Sequence, residues 1–186
     1  MTLQYSVAVR NAKLDAVETA IGTSAVLKIR TGAPPTNCAT ADSGTVLATC
    51  NLPSDWMAAA SSGTKAKSGT WEDTSADATG MAGYFRLYAS DGTTCHAQGL
   101  VGQNWLASTA YALNQQVIND SGKVYKCTTA GTSASSGGPT GTGGSISDGT
   151  AVWQYLGTAD MTVDNASFAT AQAFSITGFT LTAGNA

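Results

Sequence analysis

Charge is what this chain of 186 residues has least of: Asp, Glu, Lys and Arg make up 11% of it, well under the quarter usual in soluble domains. Its nine Lys and Arg form no cluster and the formal net charge is −3, so a nucleic-acid partner has no electrostatic support. Histidine occurs once. The four cysteines, Cys38, Cys50, Cys95 and Cys127, contain no Cys-x-x-Cys pair, which argues against a zinc site and a thioredoxin-type site. No apolar run approaches the length of a membrane span. Met1-Thr2-Leu3-Gln4-Tyr5-Ser6 lacks a basic region followed by an apolar core, so no secretory signal is expected and synthesis in a cytosol is. In that compartment the thiols are expected to stay reduced and buried, with Cys38 and Cys50 as candidates for a bridge across a loop under oxidising conditions. No cofactor and no metal are expected.

What is abundant is Gly, Ser, Thr and Ala, with 42% hydrophobic residues to fill a core. That mixture, without long Lys/Glu-rich helical segments, points to an all-β protein with many turns. Sparse charge also fits a subunit whose surface is covered by neighbours. A homo-oligomer is expected, with a trimer as first choice.

Residues 1–10 alternate weakly (Leu3, Tyr5, Val7, Val9) and read as an extended arm or edge strand. Asn11 is a candidate cap for one short helix carrying Leu14, Val17 and Ile21 and ending at Gly22. Ala25–Arg30 alternates as a half-buried strand, with Leu27 and Ile29 inward and Lys28 and Arg30 outward. Thr45–Leu52 is a second strand, Asp55–Ala59 a short turn of helix, and residues 60–80 a long loop or poor edge strand. Gly83–Tyr88 is the clearest strand, with Asp91-Gly92 as its hairpin turn and Thr94–Val101 as its partner. After residue 157 the strands resume at Asp160–Val163 and around Phe174–Leu181, where the phase slips at Gly178 as a bulge. The expected architecture is a β-sandwich or jelly-roll-like carrier, residues 1–101 plus 158–186, with residues 102–157 inserted at a hairpin tip as a small three-stranded β-module.

The insert carries aromatic residues at mostly two-residue spacing. Trp105, Tyr111, Tyr125, Trp153 and Tyr155 are candidate carbohydrate-binding residues, because aromatic faces match the apolar faces of pyranose rings. The competing reading makes most of them the core of a module too small to have another. Trp153 and Tyr155 share one strand face.

The order Trp105, Tyr111, Val117, Gly122, Tyr125, Cys127, Trp153 resembles the chitin-type carbohydrate-binding modules of family 5/12, over about 55 residues of the chain. The long Gly/Ser stretch at 131–147 departs from that pattern. The resemblance implies a small three-stranded fold with exposed aromatics that stack on sugars. The carrier, at Val9–Glu18 running into Leu27–Gly32 and at Thr180–Asn185, is similar to small structural proteins of tailed bacteriophages. That implies a virion component.

Chemistry elsewhere is weak. Cys95 and His96 are neighbours in a strand and point to opposite faces, so they cannot form a nucleophile–base dyad. Asp73 with Asp77, and Asp160 with Asp164, lie in no calcium-binding loop and fit turn chemistry. The segment 131–149 has no Lys and no helix after it, so it is no phosphate loop and reads as flexible. The expectation is a non-enzymatic protein of the phage virion, assembled in the host cytoplasm. It is foremost a capsid decoration (cement) protein that binds the major capsid protein and displays a module touching host-surface glycans. The alternative is a tail fibre, baseplate or adaptor subunit that binds receptor. A glycan-acting enzyme with a binding module is the third reading, and it lacks a credible acid/nucleophile pair.

Overall fold

The structure, a computed structural model, describes residues 3–184. Among these described residues a single helix, α1 (Val7–Ile21), is followed by sixteen strands. The first seven are β1 (Val26–Arg30), β2 (Val46–Asn51), β3 (Thr64–Ala66), β4 (Glu72–Asp73), β5 (Gly80–Met81), β6 (Tyr84–Tyr88) and β7 (Cys95–Asn104). Next come β8 (Ala110–Tyr111), β9 (Gln116–Asn119), β10 (Lys123–Thr129), β11 (Gly131–Thr132), β12 (Ile146–Asp148) and β13 (Ala151–Thr158). The chain closes with β14 (Met161–Val163), β15 (Ser167–Phe168) and β16 (Phe174–Thr182). The fold is all-β and sandwich-like with one N-terminal helix, as the composition led us to expect.

Helix α1 takes over much of the segment expected as an arm. Ser6 is its cap: the Ser6 hydroxyl accepts from the Val9 N–H at 3.3 Å, and Gly22, at φ 87°, ends it. Weak alternation at Leu3–Val9 was outweighed by this cap, since an oxygen that satisfies a free helix N–H stabilises the first turn by about 1 kcal/mol. Thr2 of the expected arm and Asn185 at the other end lie outside the described residues. Only Leu14 and Ile21 of the helix are buried. Polar bonds do the rest of the docking: buried Lys65 of β3 pairs with Asp15 at 2.6 Å and Glu18 at 2.9 Å, and Trp56 Nε1 donates to the Gly22 carbonyl at 2.9 Å.

The strands β2, β1, β6 and the first half of β7 form an antiparallel group, with Leu27 opposite Cys50 and Leu87, and Ile29 opposite Ala48 and Phe85. The second half of β7 joins β14, which pairs with β16, and β3 and β4 pair along β16. The two groups enclose one apolar cluster containing Leu27, Ile29, Leu47, Trp56, Trp71, Phe85, Ile176 and Phe179. Phe179 sits at its centre, 5.3 Å from Trp71 and edge-on to Phe85 at 5.8 Å between ring centroids. The phase slip in β16 is a bulge: Thr162 faces Gly178 and Val163 faces Ile176, so Thr177 is skipped, and Ile176 and Phe179 both reach the core.

Three local expectations are corrected and one open alternative is resolved. Asp55–Ala59 is not helical; Met57 bridges to Lys67 instead. Of the two readings of residues 60–80 the edge strand holds, since β3 and β4 pair with β16, and Trp71 is buried there, its Nε1 bonded to the Ser68 carbonyl at 2.9 Å. Arg30, expected outward, is buried, and so are Tyr84, Arg86 and Tyr88 beside it. The segment around residues 37–44 covers them: Asp42 pairs with both Arg30 and Arg86 and accepts from the Tyr88 hydroxyl at 2.9 Å, and Arg86 donates to the Asn37 carbonyl at 2.8 Å. Finally, β7 and β14 are parallel neighbours. Parallel strands require a crossover connection, so residues 105–157 fill a crossover and not a hairpin tip.

Candidate functional site

The crossover segment has an apolar cluster of its own. Tyr111, Val117, Tyr125, Cys127, Ala151 and Trp153 are its buried members, and Trp105, Ile146 and Tyr155 pack against it half-buried. Its centre is three strands, β9, β10 and β13, with short β12 added at the outer edge and the ribbon β8–β11 beside them. Its backbone nevertheless continues the carrier sheet, because β9 pairs in parallel with the end of β7, Gln103 facing Val117 and Asn104 facing Ile118. The strand path therefore runs β12-β13-β10-β9-β7-β14-β16-β3. The crossover segment occupies one end, and α1 docks on β3 at the other.

This placement sorts the five aromatic candidates. Tyr111, Tyr125 and Trp153 are at most 3% exposed, so their rings form the interior and offer no face to a sugar. Tyr111 meets Trp153 edge-on at 5.0 Å. Burial, followed by the charge of Asp120, pushes the Tyr125 phenol up to about 12, and its hydroxyl donates to the Gly141 carbonyl at 2.9 Å. Trp105 and Tyr155 are the two that retain exposure. Trp105 is held firmly, its Nε1 donating to Asp148 Oδ2 at 2.8 Å. A Cβ on Gly138 would come within 2.9 Å of its ring, so the chain passes close against the indole at that point. Tyr155 leans on Tyr125 at 6.0 Å.

Asp148 is a residue the sequence reading missed. It is buried, and its carboxylate accepts from Trp105 Nε1, from Trp153 Nε1 at 3.2 Å and from the Ala134 N–H at 2.9 Å. It thereby fixes two candidate rings and the start of the Gly/Ser stretch. That stretch, expected to be flexible, is pinned at several points: Asn119 Nδ2 donates to the carbonyls of Gly137 and Pro139, and the Gly141 N–H donates to Asp120 at 2.8 Å. The Asp120 carboxyl is held below its ordinary range, chiefly by its hydrogen bond to Lys123 and then by Gly141.

Gln103 is the second residue missed. Its buried Oε1 accepts from Gln115 Nε2 on the crossover side at 3.2 Å and from the Ala166 N–H on the carrier side at 2.9 Å. One side chain thus joins the two apolar clusters by polar bonds. Replacing it leaves a buried N–H at Ala166 without an acceptor, and an unsatisfied buried donor costs roughly 1–3 kcal/mol. We expect Gln103→Ala to lower stability in urea unfolding by about that amount, with Gln103→Glu, which keeps an acceptor, closer to the wild type.

Beside this joint lies a cleft of about 790 Å³ between the two parts, walled by Gly32, Pro34, Met81 and Gly83 on one side and by Gln116, Lys126 and Leu156 on the other. On the carrier wall the backbone packs closely: a Cβ on Gly83 would stand 1.9 Å from the Gly32 carbonyl oxygen.

The remaining chemical candidates are dispersed. Asp73 and Asp77 both accept from Thr49, at 2.8 and 2.9 Å, which commits them to the strand edge. Asp160 accepts from the Leu100 N–H at 3.0 Å, and burial raises its carboxyl above the ordinary range. Asp164 instead serves Ser175. Cys95 Sγ donates to the Ala97 carbonyl at 3.4 Å and lies against Cys38, with no bond to His96. The candidate Cys38–Cys50 bridge does not fit the fold, because Cys50 lies in the carrier core opposite Leu27 while Cys38 sits on the segment over the outer face. All four thiols are free. Among the described residues no group of three or more His, Cys, Asp or Glu could hold a metal ion, and no helix is long and apolar enough to cross a membrane.

Comparison with protein-family models, with curated proteins and with solved structures gave no match.

Proposed function

We propose that the protein is a non-catalytic structural component of a tailed-phage particle, foremost a capsid decoration protein that anchors through its carrier and displays residues 105–157 outward. The observation that carries this reading is the layout of the sheet. Helix α1 lies at one end of a continuous strand path and the separate aromatic cluster at the other. The helix end also exposes Leu3, Val7, Val9 and Val17, apolar side chains that a neighbouring subunit would cover. A homotrimer around a capsid symmetry axis is the assembly we propose, with the major capsid protein as partner. On the display side, Trp105 and Tyr155 are the candidates for weak contact with a host-surface glycan, made useful by many copies acting together.

Localisation in the intact particle by cryo-EM tests the anchor. Occupancy matching the head lattice supports decoration, whereas density confined to the tail replaces it with the adaptor or baseplate reading. For the display role, we expect the double variant Trp105→Ala, Tyr155→Ala to keep particle binding while losing retention on immobilised chitin oligosaccharide. Retention equal to wild type would remove the glycan part of the proposal and leave the anchor standing.

A further inference from the structure

Two half-buried cysteines meet beneath the segment that covers the outer face of β6 and β7. Asn37, next to Cys38, is tied by its carbonyl to Arg86 Nη2 at 2.8 Å, and Pro35 is tied by its carbonyl to Gln98 Nε2. Asp42 holds the far side of the segment to Arg86 and to Tyr88. Cys95 stands directly opposite Tyr88 in the β6–β7 register. The covering segment is thus fastened on both sides of Cys38 to the face that carries Cys95, through Arg86 and Tyr88 on β6 and Gln98 on β7, and the Cys38 and Cys95 side chains lie against one another. Cys50 and Cys127, by contrast, are fully buried.

We infer that Cys38 and Cys95 are an oxidation site, closing to an intramolecular disulfide when the protein passes from reducing to oxidising surroundings that contain a small disulfide such as oxidised glutathione. Disulfide formation needs two Cα atoms within about 7 Å and side chains that face one another, and the bonds on either side of Cys38 turn it toward the strand face that bears Cys95. In the first step the Cys38 thiolate attacks one sulfur of oxidised glutathione; the glutathione S–S bond breaks and one glutathione thiolate leaves. Burial, and then the bond to Cys38, push the Cys95 thiol up to about 11, so it enters second, after giving its proton to the departed thiolate. Cys95 then attacks Cys38 Sγ, the mixed disulfide breaks, and the second glutathione leaves, taking up the proton that Cys38 released. Two thiols are oxidised and one glutathione disulfide is reduced to two thiols, so the electrons balance.

The bond would close a long chain loop and fix the cover over Arg30 and Arg86. Long-loop disulfides stabilise mainly by restricting the unfolded chain, and for a chain of this size we expect the midpoint of thermal unfolding to rise by roughly 5–10 °C. The test is incubation of the full chain with oxidised glutathione, followed by non-reducing peptide mapping by mass spectrometry. The expected result is one cross-linked pair holding Cys38 and Cys95, reversed by dithiothreitol together with the thermal shift. Cys38→Ser and Cys95→Ser should each abolish both the cross-link and the shift, while Cys127→Ala should keep both. Recovery of Cys38 joined to Cys50, or of Cys38 and Cys95 as two separate glutathione adducts, overturns the inference, and neither readout needs a variant to fold.

Discussion

Asp42→Ala is expected to cost about 3 kcal/mol of folding stability, the low end of the range for breaking a buried ion pair, because the carboxylate itself is 33% exposed while both its partners are buried. The reason is an imbalance of charge. Arg30 and Arg86 have side chains 9% and 2% exposed, and Asp42 is the carboxylate paired with both. Removing it leaves two desolvated guanidinium groups with neutral acceptors alone and takes the acceptor from the Tyr88 hydroxyl, which burial and the bond to Asp42 raise to about 12. Urea unfolding measures the loss, and a change under 1 kcal/mol would show that water reaches both arginines in place of the carboxylate. The pH dependence follows from the same site. Burial alone would raise the Asp42 carboxyl; the bonds from Arg86 and Tyr88 and the charges of Arg30 and Arg86 outweigh it and hold the carboxyl below its ordinary range. A carboxyl lowered on folding contributes stability that is complete above its unfolded pKa, near 4, and is lost as the pH falls through the folded value. Stability should therefore decline below about pH 4, less steeply in Asp42→Asn. Some acid sensitivity should survive in that variant. Asp91 is also held low, first by its bond from the Thr94 hydroxyl and then by the N–H groups of Thr93 and Thr94.

Trp153→Ala should have an effect of similar size with a different signature. The ring is fully buried, meets Tyr111 edge-on and donates to Asp148. Loss of a buried Trp side chain typically costs about 3–5 kcal/mol. That loss falls on a cluster with only six buried members, too few to absorb it by repacking. We expect residues 105–157 to open locally while the carrier core around Leu27, Phe85 and Phe179 stays closed. Hydrogen exchange distinguishes the outcomes: amides of β10 and β13 should lose protection and those of β1 and β6 keep it. Equal loss in both regions would mean that the shared β7 makes the whole chain one cooperative unit.

Much of the carrier was legible because its signals are local. Leu27 and Ile29 alternate, Asp91-Gly92 turns, and the apolar phase slips beside Gly178. What escaped depends on partners distant in sequence. The burial of Arg86 is decided by Asp42, from the other side of β1. Trp71 lies in a stretch whose Ser, Gly and Thr residues look loop-like, and it becomes a core residue only because β16 returns beside it. The aromatic spacing in 105–157 picked out residues of the second apolar cluster, yet spacing cannot tell a ring facing inward from one facing outward. Asp148 and the bonds at Asn119 and Asp120 decided that question. The Cys38–Cys50 pairing was suggested by nearness in sequence, whereas the fold sets Cys38 beside Cys95.

The single strand β7 runs unbroken from the antiparallel group into the parallel pairing with β9. A pull on the crossover segment along that strand loads a row of backbone hydrogen bonds in shear, all together, instead of peeling them one at a time. Such a joint neither swivels nor stretches like a Gly/Ser tether. In an array of identical subunits every outer segment would then point in a direction set by the lattice, and any adhesion would come from stiff, evenly spaced studs rather than from searching arms.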